Sequence, residues 1–311
     1  MSDLFFEQLK IRKPDIHLNC GGFTQAEQTA KIMISYESLL NETRSDLCIV
    51  VGDVTSTMAC TIVAKKMNIQ VAHIEAGIRF GDISMPEEVN RIVTDALSDY
   101  FFTTTEHAGK NLLSEGKVLE SIFFVGNTMI DTLYANIERF SKPSLWENFD
   151  LSAKSYFLLT LHRPSNVDSQ EKLENLISLV LNNIGDYPLI FPVHPRTRKN
   201  LSEKIINHPK LKIVDPLGYL EFMYLVNSSV GVITDSGGIT EETTVLSIPC
   251  ITLRNSTERP ETVEIGTNIL VGDNNDLLVK SLLSIIAGNW KKGAIPNFWD
   301  GKTSNRIINH L

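Results

Sequence analysis

A chain of 311 residues with a formal net charge of -8 at pH 7 has room for two domains of ordinary size. That charge argues against a general nucleic-acid binder, though a local basic pocket could still take a nucleotide. No apolar run approaches the roughly 20 residues that span a membrane, and the N-terminal stretch MSDLFFEQLKIRKPD is no signal peptide. Cys20, Cys48, Cys60 and Cys250 lie far apart with no CxxC pair, which reads as buried reduced thiols in a cytosolic protein.

Taken in order, residues 2–9 read as a helix with Leu4, Phe5 and Leu9 on its apolar face. Residues 25–40 read as a second, amphipathic helix. The run 46–51 is an apolar strand ending at Gly52-Asp53, and 56–67 is the helix after it. Residues 70–74 form the next strand, ending at Glu75-Ala76-Gly77. A helix over 87–98 follows Pro86, a good first-turn proline. Strands over 100–103 and 122–125 flank a helix over 106–115. Periodicity lapses around 141–153, which places a boundary between domains 1–145 and 146–311. The second series runs strand 157–160, helix 170–183, strand 189–193, helix 199–206, strand 211–214, helix 219–227 and strand 230–233. Strands at 250–253 and 268–271 and helices at 276–287 and 303–311 complete it, the last helix placed to pack back on the first domain. The alternation is βαβα throughout, the pattern of parallel sheets with helices on both faces. In such sheets ligands bind outside the carboxyl ends of the strands.

The stretch Thr234-Asp235-Ser236-Gly237-Gly238-Ile239-Thr240-Glu241-Glu242 joins a strand to a helix N-terminus. That geometry gathers unpaired N–H groups at the positive end of the helix dipole, where phosphate binds. Ser236 can add a hydroxyl, and Glu241 or Glu242 could accept hydrogen bonds from a ribose. An ordinary capped turn is the plain alternative for this stretch taken alone. Asp53 alone reads as a helix N-cap, and Glu87 and Glu88 as first-turn residues that complement the dipole. Arg91, one turn on, could pair with Glu87. Glu75 ends an apolar strand before Ala-Gly and is less easily explained by capping. His162-Arg163 and His194-Pro195-Arg196 each follow a strand. Two histidines, each close to an arginine, suggest an anionic ligand. Three carboxylates facing such a phosphate site across a cleft would suit proton abstraction from a nucleotide-linked substrate.

The motifs GDVTST, HIEAGIR, MPEEVNRIVTDALSDYFF, FVGNTMIDTL, LTLHRPSNVD, FPVHPRTRKNL, PLGYLEFMYL, TDSGGITEETTVLSIPC and LRNSTERPETVEIGTN run in one order over nearly the whole chain. In that order they resemble the non-hydrolysing UDP-N-acetylglucosamine 2-epimerases. The resemblance implies an α/β fold of two facing Rossmann-like, doubly wound domains, the GT-B type shared with many glycosyltransferases. It also implies reversible conversion of UDP-GlcNAc to UDP-ManNAc, by elimination of UDP to 2-acetamidoglucal and re-addition with C2 inverted. No cofactor and no metal are implied.

Carried over by motif, Asp53, Glu75 and Glu87 match the family's catalytic carboxylates and Arg91 its arginine in the same helix. His162 matches the histidine that supports departure of UDP. Ser236, Gly237 and Gly238 match the diphosphate loop, Glu242 the ribose carboxylate and Phe222 the aromatic beside uracil. His194 and Arg254 fall near the diphosphate. The resemblance implies a UDP-sugar as partner and a cytoplasmic homodimer, with no nucleic acid and no membrane.

The family's opening strand and its Gly-Thr-Arg-Pro-Glu turn have no counterpart in this sequence. The first domain is therefore expected to be incomplete at its N-terminus, short of a strand-helix-strand unit of roughly 30 residues. That leaves two further expectations to weigh: an inactive, truncated nucleotide-sugar binder, or an epimerase acting on UDP-2,3-diacetamido-2,3-dideoxyglucuronate.

Overall fold

Runs rich in β-branched and aromatic residues fold as buried parallel strands, and the amphipathic stretches after them as helices. The computed structural model describes residues 6–22 and 24–311, so Leu4 and Phe5 of the helix predicted over 2–9 lie outside the described residues. The chain forms two compact units, each an α/β layer structure.

The four-strand unit comprises Lys13–Asp131 with Asn297–Leu311. Its strands β1 (Leu47–Val51), β2 (Gln70–Ile74), β3 (Tyr100–Thr103) and β4 (Ile122–Phe124) lie in sequence order and pair in parallel. In this register Val50 lies opposite His73 and Ile74 opposite Phe102. Helices Thr55–Lys66, Pro86–Leu97 and Glu106–Ser114 make the crossovers. The helix Gln25–Glu42 opens with a capping box between Thr24 and Glu27, a device worth about 1 kcal/mol. β1 is an edge strand, with Ile49 and Val51 half exposed. The last residues are tied in by Asp131, which accepts from the Thr303 and Ser304 N–H groups at 3.0 and 2.7 Å. Buried Trp299 donates its indole N–H to the Thr104 carbonyl.

The six-strand unit comprises Thr132–Pro296 and the described residues up to Arg12. Strands β5 (Phe157–Thr160), β6 (Leu189–Pro192), β7 (Leu211–Val214), β8 (Gly231–Thr234), β9 (Cys250–Thr252) and β10 (Asn268–Leu270) lie in the order β10-β9-β8-β5-β6-β7, all parallel. Counted from β5 this is the doubly wound order of mononucleotide-binding folds, and it reverses at β5/β8. Fully buried Phe157, Leu159, Ile233 and Ile251 pack in one cluster with Leu173, Ile177, Val180 and Leu181 of helix Gln170–Asn183. Each such side chain contributes about 1.5–3 kcal/mol by leaving water.

Several sequence expectations need correction. The helix predicted over 199–206 is two short helices, Pro195–Arg198 and Glu203–Ile206. Ser202 breaks the run: its N–H donates to the Glu174 carboxylate at 2.7 Å, and it stands as the cap of the second helix. A helix at Thr128–Asn136 had not been expected. All four cysteines are free, but only Cys48 and Cys250 are buried. Among the described residues no helix is long and apolar enough to cross a membrane.

Candidate active site

In the six-strand unit the polar residues gather where the strand order reverses. β5 pairs with β8 so that Thr160 lies opposite Thr234, which brings His162 beside Asp235. The Asp235 carboxylate is fully buried. It accepts from the His162 and Arg163 N–H groups at 3.1 and 3.0 Å, from the Asn166 amide at 3.0 Å, and from His162 Nδ1 at 2.8 Å. Burial pushes the Asp235 carboxyl upward, but these hydrogen bonds from His162 and Asn166 outweigh it and hold it below the usual carboxylate range. The His162 side chain is 62% exposed. With Nδ1 held by the carboxylate, Nε2 is the nitrogen left to face a ligand.

Ser236 caps helix Gly237–Val245, and its hydroxyl makes no capping hydrogen bond. The first N–H groups of that helix thus converge beside His162, the arrangement that binds anions. A Cβ at Gly237 would stand 2.8 Å from Glu258 Oε1 and 3.4 Å from Arg254, so a side chain there would push the Glu258 carboxylate aside. Arg254, at the end of β9, is buried and forms a two-pronged pair with Glu258 at 3.2 and 2.5 Å. His194, after β6, is exposed at the next strand end on the other side of β5. Sheet order therefore lines up His194, His162, Ser236 and Arg254 along one edge.

Glu242 is buried on the same helix and accepts from the Tyr219 hydroxyl at 2.9 Å. Burial raises its carboxyl to about 7 despite that hydrogen bond. Phe222 lies one turn beyond Tyr219 on helix Tyr219–Ser228. Glu241, by contrast, is taken up by Arg259 at 2.7 Å.

In the four-strand unit Asp53 does not cap the helix after it; Val54 does. The Asp53 carboxylate instead pairs with Arg91 at 2.5 Å, and its carbonyl accepts from Asn90 at 2.8 Å. Arg91 does not pair with Glu87 as expected. Its second partner is Glu88 at 2.7 Å. Buried Glu88 also accepts from the Phe80 and Gly81 N–H groups at 3.0 and 2.9 Å, and these contacts with Arg91 hold its carboxyl below the ordinary value against burial. Glu87 is exposed in the first turn, outside the Asp53–Arg91 pair. Glu75 follows β2 with φ +71, a left-handed conformation that costs a non-glycine residue roughly 1–2 kcal/mol. The N–H groups of Glu75 and Ala76 both donate to the Phe102 carbonyl, at 3.0 and 3.1 Å. Gly77 has φ +78, and a Cβ there would stand 2.3 Å from the Ala108 carbonyl oxygen, so the turn after Glu75 requires glycine.

The family model described as UDP-N-acetylglucosamine 2-epimerase matches residues 1–311. The chain belongs to this epimerase family. The UDP-N-acetylglucosamine 2-epimerase of Methanocaldococcus jannaschii is 43% identical, over 100% of this chain and 87% of that protein. The crystal structure of the M. jannaschii enzyme in complex with UDP-GlcNAc and UDP superposes with a TM-score of 0.86, over 100% of this chain and 88% of that one. The UDP-2,3-diacetamido-2,3-dideoxy-D-glucuronate 2-epimerase of Pseudomonas aeruginosa is 36% identical, over 100% of this chain and 87% of that protein.

Within this epimerase-family chain, sequence reasoning missed the residues that hold the named ones. Asp235 holds His162, Asn90 holds the Asp53 carbonyl, and Tyr219 holds Glu242. Asp235 had a signal, a carboxylate ending an apolar strand beside the glycine turn, which was read as part of the turn.

Proposed function

We propose that this chain is a UDP-N-acetylglucosamine 2-epimerase, interconverting UDP-GlcNAc and UDP-ManNAc. The observation that carries the reading is the likeness, over the whole chain, to the M. jannaschii structure in complex with UDP-GlcNAc and UDP. The residue chemistry supports it. The six-strand unit offers a helix N-terminus and His162 to a diphosphate, Glu242 to a ribose and Phe222 to a base. The four-strand unit offers the acid–base groups Asp53, Glu75 and Glu87, with Arg91 fixing Asp53.

In the proposed reaction a carboxylate removes the C2 proton, the C–H electrons form the C1–C2 double bond, and the C1–O bond breaks toward the UDP oxygen. The C2 proton is weakly acidic, so stabilising the departing UDP has to lower the barrier. His162 and the N–H groups at Ser236-Gly237-Gly238 supply that stabilisation, with His194 and Arg254 beside them. UDP then adds back to C1 of 2-acetamidoglucal as a proton is returned to the opposite face of C2. Atoms and electrons balance without an oxidant or reductant. We read the protein as a cytoplasmic homodimer, in keeping with its four free thiols and with the half-exposed apolar side chains on β1; light scattering tests the dimer.

Proton NMR of the anomeric signal tests the substrate. Incubation with UDP-GlcNAc should give the manno signal. Turnover of UDP-2,3-diacetamido-2,3-dideoxyglucuronate alone would assign the chain to the other substrate.

A further inference from the structure

The mechanism above leaves a buried charged cluster of the four-strand unit unused. His73, the fourth residue of β2 (Gln70–Ile74), is fully buried. Its Nδ1 lies 2.6 Å from Asp95 Oδ1 and its Nε2 lies 2.9 Å from the Gly52 carbonyl oxygen. A carbonyl oxygen only accepts, so Nε2 donates to Gly52. Asp95 is also fully buried, and its Oδ2 accepts from the Gly77 N–H at 3.0 Å and from Arg79 at 2.7 Å. Arg79 in turn holds Glu115 at 2.5 Å. Burial pushes the Asp95 carboxyl up, but His73 and Arg79 together bring it below the ordinary value. Both ring nitrogens of His73 are thus engaged, Nδ1 by the Asp95 carboxylate and Nε2 by the Gly52 carbonyl.

The placement of this cluster gives it a use. Gly52 precedes Asp53, whose own carbonyl is held by Asn90. His73 and Gly77 bracket Glu75, and both bond the same Asp95 carboxylate. Glu75 itself is held in the left-handed region, a strain that persists only where its surroundings over-determine it. We propose that His73, clamped between Asp95 and the Gly52 carbonyl, is a positioning residue that fixes the spacing of the carboxylates Asp53 and Glu75. This rests on the epimerase reading. Proton transfer at C2 needs its carboxylates within a fraction of an ångström of the productive geometry, and a rigid support behind them supplies that. A buried ion pair serving stability alone would have no reason to join the turns beside both residues.

The test uses the full chain. Nitrogen-15 NMR of histidine-labelled protein at neutral pH should show Nε2 of His73 protonated, since it faces a carbonyl oxygen. His73→Asn keeps a donor toward Asp95 and loses the tie to Gly52; His73→Gln has the reach to keep the tie and lose Asp95. Each folded variant should lose about 10–100-fold in kcat, while KM and the Kd for UDP stay within about twofold. Stability alone would instead lower Tm and leave kcat per folded molecule unchanged. An unprotonated Nε2 on His73, or a folded His73→Asn variant with parental kcat, would overturn the proposal. If the variants do not fold, the NMR result on the parent decides. A parent with Nε2 of His73 protonated but no turnover would count against the epimerase reading and leave the clamp standing.

Discussion

Asp235 Oδ1 lies 2.8 Å from His162 Nδ1, a buried carboxylate holding a largely exposed imidazole. The pair fixes which ring nitrogen faces a ligand, much as a carboxylate orients the histidine of a hydrolase triad. Asp235→Asn keeps the shape and removes the charge. Turnover should fall by about 10²-fold or more. Losing the charge that the His162 and Arg163 N–H groups bond should also cost about 1–2 kcal/mol of stability, read by urea melts. Parental turnover would remove His162 from the chemistry.

Glu75 is held in the left-handed region, and the proposed chemistry gives a reason to keep it there. Glu75→Gln should lower kcat by about 10²-fold or more, as loss of a proton-transfer group does, and leave the Kd for UDP within a few-fold. Glu75→Gly should be equally inactive yet more stable by roughly 1 kcal/mol, because glycine relieves the left-handed backbone. A stability–activity opposition of this kind marks a residue kept for chemistry. An active Glu75→Gln protein would refute the role.

Gly237 lies where Cβ would meet Glu258. The obstruction is the end of a side chain, so Gly237→Ala should fold, with the Glu258 carboxylate pushed aside and its pair with Arg254 loosened. Added bulk and a shifted carboxylate should weaken UDP binding by about 1.5–3 kcal/mol, the worth of a hydrogen bond to a charged group. Calorimetry reads this directly; unchanged affinity would place the diphosphate elsewhere.

Glu242 makes stability depend on pH. Its carboxyl is raised to about 7, against about 4.3 in the unfolded chain. The folded state thus holds a proton that the unfolded state has lost between those values. Its contribution is full below about 4.3, falls as pH rises, and is gone above about 7. Relative to Glu242→Gln, the parent should lose about 2–3 kcal/mol between pH 5 and pH 8. Parallel urea-melt profiles for the two proteins would contradict that.

The fold was legible because local pattern and tertiary environment agree. The run Phe157–Thr160 is a strand in the middle of a buried parallel sheet, and helix Gln170–Asn183 packs Leu173, Ile177, Val180 and Leu181 against that sheet. The region after β6 was misread because Ser202 looks compatible with a helix until its N–H is seen to be taken by Glu174. Asp53, Glu75, His162 and Ser236 stand out in the sequence because strand ends are visible there. Their supports were not. The Asp235–His162 pair depends on which strands are neighbours, β5 and β8, with two strands between them in the chain. His73 and Asp95 lie on a strand and a helix whose phases are fixed only by packing. Arg91 was within reach of both Glu87 and Glu88; the N–H groups of Phe80 and Gly81 settle Glu88 beside it.

The most direct measurement is NMR of the purified chain with UDP-GlcNAc in D2O. The account predicts UDP-ManNAc carrying deuterium at C2, and deuterium also entering C2 of the recovered UDP-GlcNAc, since both re-form from the glucal. Conversion with the original hydrogen retained at C2, or no conversion while UDP still binds, would contradict elimination and re-addition by this protein.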